Sequence, residues 1–230
     1  MAMTKINPDY HLPIDNQIRR GFIRKVYFIL MCQLFVTLGA VVIFFFFPEV
    51  KDFVERNIWI LRLDGIIMVV TMVACWFEIV RRQTPMNFTC LGSFTFARSF
   101  FLGVATSYYA DNKVLLAIGT TVAICLSLTL FAMQTKWDLT VLGKIVIYAK
   151  PIFDLFSIFF GGKLPSLTYS SLCAFFASFN LIYDTQLMMG GNVCKYIISQ
   201  EEYIFAISNL YFDISNIFLN VLNILGITEE

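Results

Sequence analysis

VYFILMCQLFVTLGAVVIFFFF, residues 26–47, is an uncharged apolar run, and its length decides what kind of protein this is. A helix crossing the ~30 Å hydrocarbon core of a bilayer takes about 20 mostly apolar residues. The run meets that length, and Pro48 follows it. Water is absent from the bilayer interior, so an isolated segment there must bond its own N–H and C=O groups as a helix. The stretch therefore predicts a transmembrane helix over 26–47.

The composition of the whole chain agrees. Its 230 residues are 58% hydrophobic and only 14% charged, whereas a soluble domain is about half apolar and a quarter charged. Six more apolar runs follow the first. Residues 60–80 carry Arg62, Asp64 and Glu78 near their ends, and residues 86–110 carry Arg98 mid-run. Residues 114–133 are free of charge. Residues 139–162 contain Lys144, Lys150, Pro151 and Asp154, residues 164–189 contain Asp184, and residues 203–227 contain Asp213. The expectation is an all-α integral membrane protein with seven transmembrane helices in residues 19–230, after a short polar tail over 1–18.

Loop Lys and Arg orient such a chain. Lys5, Arg19, Arg20, Arg24, Lys25, Arg81, Arg82, Lys136 and Lys195 fall on the N-terminal side. Lys51, Arg56, Arg62, Lys113 and Lys163 fall on the other, nine against five. A cytosolic N-terminus is expected. No apolar leader precedes the first span, which would itself act as the targeting signal.

Several function classes drop out. A net charge of +1 gives no nucleic-acid footprint. The six cysteines form no CxxC pair and five lie in apolar runs, where Cys acts as a small hydrophobe. With His11 the only histidine, neither a disulfide framework nor a metal cluster is indicated. No phosphate loop or histidine-based triad exists, and no cofactor or enzyme activity is expected. The sequon Asn87-Phe88-Thr89 opens an apolar run, too near the bilayer to be an acceptor.

Two polar stripes remain. One turn apart on the sixth run lie Cys173, Ala177, Asn180 and Asp184, a small and polar face that lets another helix approach closely. On the last run Asn209, Asp213, Asn216, Asn220 and Asn223 recur at spacings of 4, 3, 4 and 3. Such a stripe should face the bundle interior or water, not lipid. One reading is a hydrogen-bonded seam between helices. The other is that Asp184 and Asp213 meet. Adjacent carboxylates do not both ionise readily, so they share a proton and respond to pH. They also offer oxygen to Ca²⁺, though a tight Ca²⁺ site takes 6–8 oxygens, so only weak, transient binding is expected.

The stretches LIYDTQLMMGG (181–191) and QEEYIFAISNLYFDISNIFL (200–219) resemble the C-terminal signature of the transmembrane Bax-inhibitor motif family, most of all its Lifeguard branch. RRGFIRKVYFILMCQLFVTL (19–38), SYY (107–109) and FAMQTKWDLT (131–140) are similar to that branch too. The resemblance covers about residues 17–226. It implies a compact seven-helix bundle with the last helix central or partly re-entrant. It implies a Ca²⁺ leak in ER, Golgi or related membranes, gated by pH through a di-aspartyl pair, here Asp184 and Asp213, with Ca²⁺ and H⁺ as the ions. Protection from apoptosis is implied as well, through stored Ca²⁺ or through death-regulatory membrane proteins. Arg81-Arg82 match the stretch from which an arginine latches the pair in bacterial relatives. The chain departs from the pattern at Arg98, at the charged fifth run, and in GGNVCKYIISQEEY (190–203), which lacks the usual basic pair and Ser-Pro.

Arg98 needs a partner at that depth. It is either a structural cation paired with Asp184, Asp213, Glu78 or Asp154, or a latch on the aspartyl pair. Two other functions compete with the leak. A non-conducting adaptor would act by binding other membrane proteins. An intramembrane aspartyl protease would also use two aspartates, one after a tyrosine as in Tyr183-Asp184. Its Gly-x-Gly-Asp motif is absent, since Leu210, Tyr211 and Phe212 precede Asp213.

Overall fold

A computed structural model describes residues 3–5, 16–74, 77, 85–135, 139, 146, 166–189, 196–198 and 203–227. Helix α1, Asn16–Phe46, has 31 residues and so is about 46 Å long. It starts ten residues before the apolar run, because NQIRRGFIRK contains no proline to stop it. Pro48 ends α1 and immediately starts α2, Pro48–Arg56. Proline suits a first helical turn, where its missing N–H has no intrahelical role. Glu49 in the first turn and Arg56 in the last complement the helix dipole. No element was expected here. At its end the Asn57 N–H donates to the Val54 carbonyl (3.1 Å), and Asn57 Nδ2 donates to the Phe53 carbonyl (2.8 Å).

The other helices are α3 (Trp59–Ala74), α4 (Met86–Thr106), α5 (Asp111–Gln134), α6 (Ser166–Met189) and α7 (Tyr203–Ile227). Helix α4 stops four residues short of the expected end. The Thr106 and Ser107 hydroxyls donate to the Gly103 and Val104 carbonyls at 2.8 and 2.7 Å, supplying partners as the last turn tightens.

Four helices are long and apolar enough to cross a membrane: Arg20–Phe46 within α1, α4, α5 and α7. Of the seven spans expected from sequence, these four meet that measure among the described residues. Helix α3 has only 16 residues, and α6 carries many Ser, Thr and Asn side chains. The fifth run, 139–162, lies outside the described residues except Leu139 and Val146. The large exposed apolar side chains, among them Phe28, Phe35, Phe96 and Leu115, would be a liability in water and suit a lipid surroundings. One departure from all-α is a ribbon. Strand β1, Met3–Lys5, pairs antiparallel with β2, Tyr196–Ile198, with Thr4 opposite Ile197. Three-residue strands are too short to display a period-2 pattern.

The chain divides into two units. The first comprises 20–111 and 200–211. There α3 packs against α4, and Phe44, Val54 and Val104 form a buried cluster flanked by Val50, Leu61 and Phe100. Phe44 meets Phe100 edge to face at 5.5 Å. Gly103 makes this contact possible, since a Cβ there would lie 2.5 Å from the Phe44 ring and 3.3 Å from the Ala40 carbonyl. Small residues let membrane helices close in this way. The second unit comprises 2–19, 112–199 and 212–230. Within it, every residue from Leu181 to Met188 is buried.

Gly103→Ala is expected to destabilise the protein by about 1–3 kcal/mol through overpacking. The double variant Gly103→Ala/Phe44→Leu should recover part of that loss. Thermal unfolding in detergent reads both.

Candidate functional site

The site in the second unit begins with α6. Its buried face runs through Cys173, Ala177 and Asp184, with Asn180 half-buried. The neighbouring polar groups of α6 are tied down. Thr185 Oγ1 donates to the Leu181 carbonyl at 2.7 Å, and Gln186 Oε1 accepts from the Leu139 N–H at 3.0 Å. Asp184 is thereby held on a rigid, closely packed turn. On α7 no residue is exposed, and Asp213 is buried. The carboxyl groups of Asp184 and Asp213 are hydrogen-bonded to each other.

A hydrogen bond between two carboxyl groups requires one proton: one acid donates, the other oxygen accepts. The pair therefore holds at least one proton while the bond exists. Removal of that proton would set two carboxylates side by side, which favours recapture of a proton or arrival of a cation. Nearby, Asn220 Nδ2 donates to the Asn216 carbonyl at 2.8 Å, and Asn216 and Asn220 are half-buried. Asn180 Oδ1 and Thr121 Oγ1 are buried acceptors without a hydrogen-bond partner among the described residues. Cys125 on α5 lies within electrostatic reach of Asp213. No group of three or more His, Cys, Asp or Glu among the described residues could hold a metal ion.

The first unit holds a different polar centre, which the sequence reading missed. The Tyr211 hydroxyl is fully buried and hydrogen-bonds with Thr37 Oγ1 at 2.8 Å and Ser99 Oγ at 3.2 Å. Thr37 and Ser99 also meet at 3.0 Å. Gln33 Nε2 donates to Thr95 Oγ1 at 2.6 Å, and Thr95 Oγ1 donates back to the Leu91 carbonyl. Three helices, α1, α4 and α7, are joined here by hydroxyl and amide groups. Phe94 packs edge to face on Tyr211 at 5.9 Å. One signal was available: Gln33/Thr37 and Thr95/Ser99 are each polar pairs one helical turn apart in apolar runs.

Arg98 is buried in this unit, with Asp64 and Tyr211 within electrostatic reach. Its Nη1 donates to Met68 Sδ at 3.8 Å, and its guanidinium carbon lies 5.8 Å from the Phe101 ring centroid. Asp64, also buried, was not among the partners considered from sequence. Arg81 and Arg82, and the candidate partners Glu78 and Asp154, lie outside the described residues. Asn209 is half-buried in the first unit. Asn87 of the sequon is 2% exposed; its Oδ1 accepts from the Phe88 N–H and its Nδ2 donates to the Tyr203 hydroxyl at 3.4 Å. Its side chain belongs to the packing and is closed to glycosylation in the fold.

Residues 19–230 match the family described as inhibitor of apoptosis-promoting Bax1. Human protein lifeguard 3 is 35% identical over 199 residues, covering 83% of this chain and 63% of the relative. The mouse lifeguard 3 protein is 33% identical over the same shares. Mouse protein lifeguard 4 is 31% identical, covering 84% of this chain and 79% of the relative. The chain thus spans less than two thirds of the length of the lifeguard 3 relatives.

Tyr211→Phe removes the hub of the hydroxyl centre. A double-mutant cycle with Ser99→Ala should give a coupling energy of about 0.6 kcal/mol, the mean for hydrogen bonds within membranes, and no more than about 1.7 kcal/mol. Additive losses in thermal unfolding would show that Tyr211 and Ser99 act separately.

Proposed function

This chain belongs to the Bax inhibitor family, and on that premise we propose that it is a pH-sensitive Ca²⁺ leak of intracellular membranes, ER or Golgi, that restrains cell death. The observation that carries the proposal is the mutual hydrogen bond of Asp184 and Asp213 within buried helix turns. A shared proton keeps the pair singly charged and its helices together. Loss of that proton creates two facing carboxylates, which repel each other and attract a divalent cation. Flux should therefore rise with pH. The polar stripe of Asn216 and Asn220 would line the ion's route on α7. The proposal includes seven spans with a cytosolic N-terminus. The anti-apoptotic role follows the family description and acts by lowering stored Ca²⁺.

A latch role for Arg98, Arg81 or Arg82 is part of the same proposal. In each Gln variant, a latch would move the midpoint of the pH response, while a purely structural cation would change only stability.

The test is Ca²⁺ flux into liposomes holding the purified protein, from about pH 6 to about pH 8. A one-proton device gives at most about a tenfold rise per pH unit. Asp184→Asn and Asp213→Asn each leave a pair that cannot become doubly anionic, so the pH response should vanish in both. Folded wild-type protein with no flux above empty liposomes would reject the leak and favour an adaptor that acts by binding other membrane proteins.

A further inference from the structure

From Arg20 onward, helix α1 presents one exposed face. Arg20, Gly21, Arg24 and Lys25 are exposed at its N-terminal end. The same face continues with Phe28 (70% exposed), Met31, Cys32, Phe35 (65% exposed) and Val36. Its opposite side, Phe22, Val26, Leu30 and Gln33, is buried. A cationic end thus runs directly into an apolar, outward-facing stripe.

Positions 20, 21, 24 and 25 adjoin on a helix surface, being one turn apart in two overlapping pairs. Three are cations and the fourth is glycine. A Cβ placed on Gly21 meets nothing within 4 Å, so the space over it is open. Arg20 and Arg24 are like charges one turn apart, which destabilises a helix unless an anion lies between them. The sequence supplies none from Asn16 to Pro48, a stretch without Asp or Glu. Lys25 is held in place, its Nζ 3.7 Å from the centroid of the Tyr203 ring. Tyr203 in turn is fixed by Asn87 Nδ2 at 3.4 Å and by the Phe88 ring at 6.3 Å.

The depth is suitable. Arg20 precedes Val26 by about 9 Å along the axis, and Lys25 by about 1.5 Å. The polar layer of a bilayer adds about 5–8 Å on each side of its hydrocarbon core. The cations therefore span that layer while the Phe28–Val36 stripe lies among acyl chains.

We propose that Arg20, Arg24 and Lys25, around the notch at Gly21, bind the phosphate headgroup of an anionic phospholipid whose chains lie along Phe28, Met31, Phe35 and Val36. Charge complementarity requires an anionic headgroup. The apolar stripe on the same face selects a lipid over free phosphate, which could use only the cationic end. The site is separate from Asp184 and Asp213 and does not depend on the leak being correct.

The test uses the full chain purified in detergent, with lipid retention read by native mass spectrometry and stability by thermal unfolding. Phosphatidylserine should bind and raise the melting temperature, while phosphatidylcholine and inorganic phosphate should not. Each neutralised cation should weaken phosphatidylserine binding about fivefold, so Arg20→Gln/Arg24→Gln/Lys25→Gln should weaken it about a hundredfold. Lys51→Gln, on α2 beyond the far end of α1, should leave it unchanged. Gly21→Leu keeps every charge and fills the notch, so it should reduce retention in a protein that folds normally. Equal retention of phosphatidylcholine, or a triple variant that holds phosphatidylserine as well as wild type, would overturn the proposal. So would stabilisation by inorganic phosphate equal to that by the lipid.

Discussion

A carboxyl group surrounded by packed apolar helices has to find a partner, because burying a lone charge costs several kcal/mol. Asp184 finds Asp213, and the two share a hydrogen bond. This constraint explains much of the surrounding architecture. The turn from Leu181 to Met188 is closed to solvent, and its other polar groups, Thr185 and Gln186, are satisfied locally. Under the proposed function, a bond that needs a proton would make the packing of α6 and α7 in that unit depend on protonation.

The first unit solves the same problem without ionisation. Its polar centre consists of Gln33, Thr37, Thr95, Ser99 and Tyr211, all neutral. Hydroxyls and amides join α1, α4 and α7 here without a carboxylate. The close approach of Phe44 over Gly103 adds a steric fit. Among the described residues, Arg98 and Asp64 are the buried charged groups of this unit, within electrostatic reach of each other. Two kinds of helix contact therefore coexist in one chain: one made of hydroxyls and aromatic rings, and one made of two carboxyl groups.

How much was legible in the sequence follows from which signals are local. The uncharged run over 26–47 named its helix, and the last run, 203–227, matches α7 to the residue. The polar extension of α1 over Asn16–Lys25 was hidden because hydropathy marks the membrane boundary, not the helix boundary. Helix α2 was hidden because Pro48 reads as a terminator, although it equally begins a helix. The spacing of Asp184 and Asp213 within their runs singled them out by charge. Gln33, Thr37, Thr95 and Ser99 were passed over because single hydroxyls are common in apolar helices, and only the fold reveals that Tyr211 joins them. Asp64, near the end of a weak run, looked like a boundary residue and is instead buried beside Arg98.

The central claim is that Asp184 and Asp213 hold one proton between them. Infrared difference spectroscopy of the purified protein tests it directly, through the C=O stretch of a protonated carboxylic acid at neutral pH. The account predicts such a band in the wild type, altered or lost in both Asp184→Asn and Asp213→Asn. A wild-type spectrum with no protonated-carboxyl band, or one unchanged by either substitution, would contradict it.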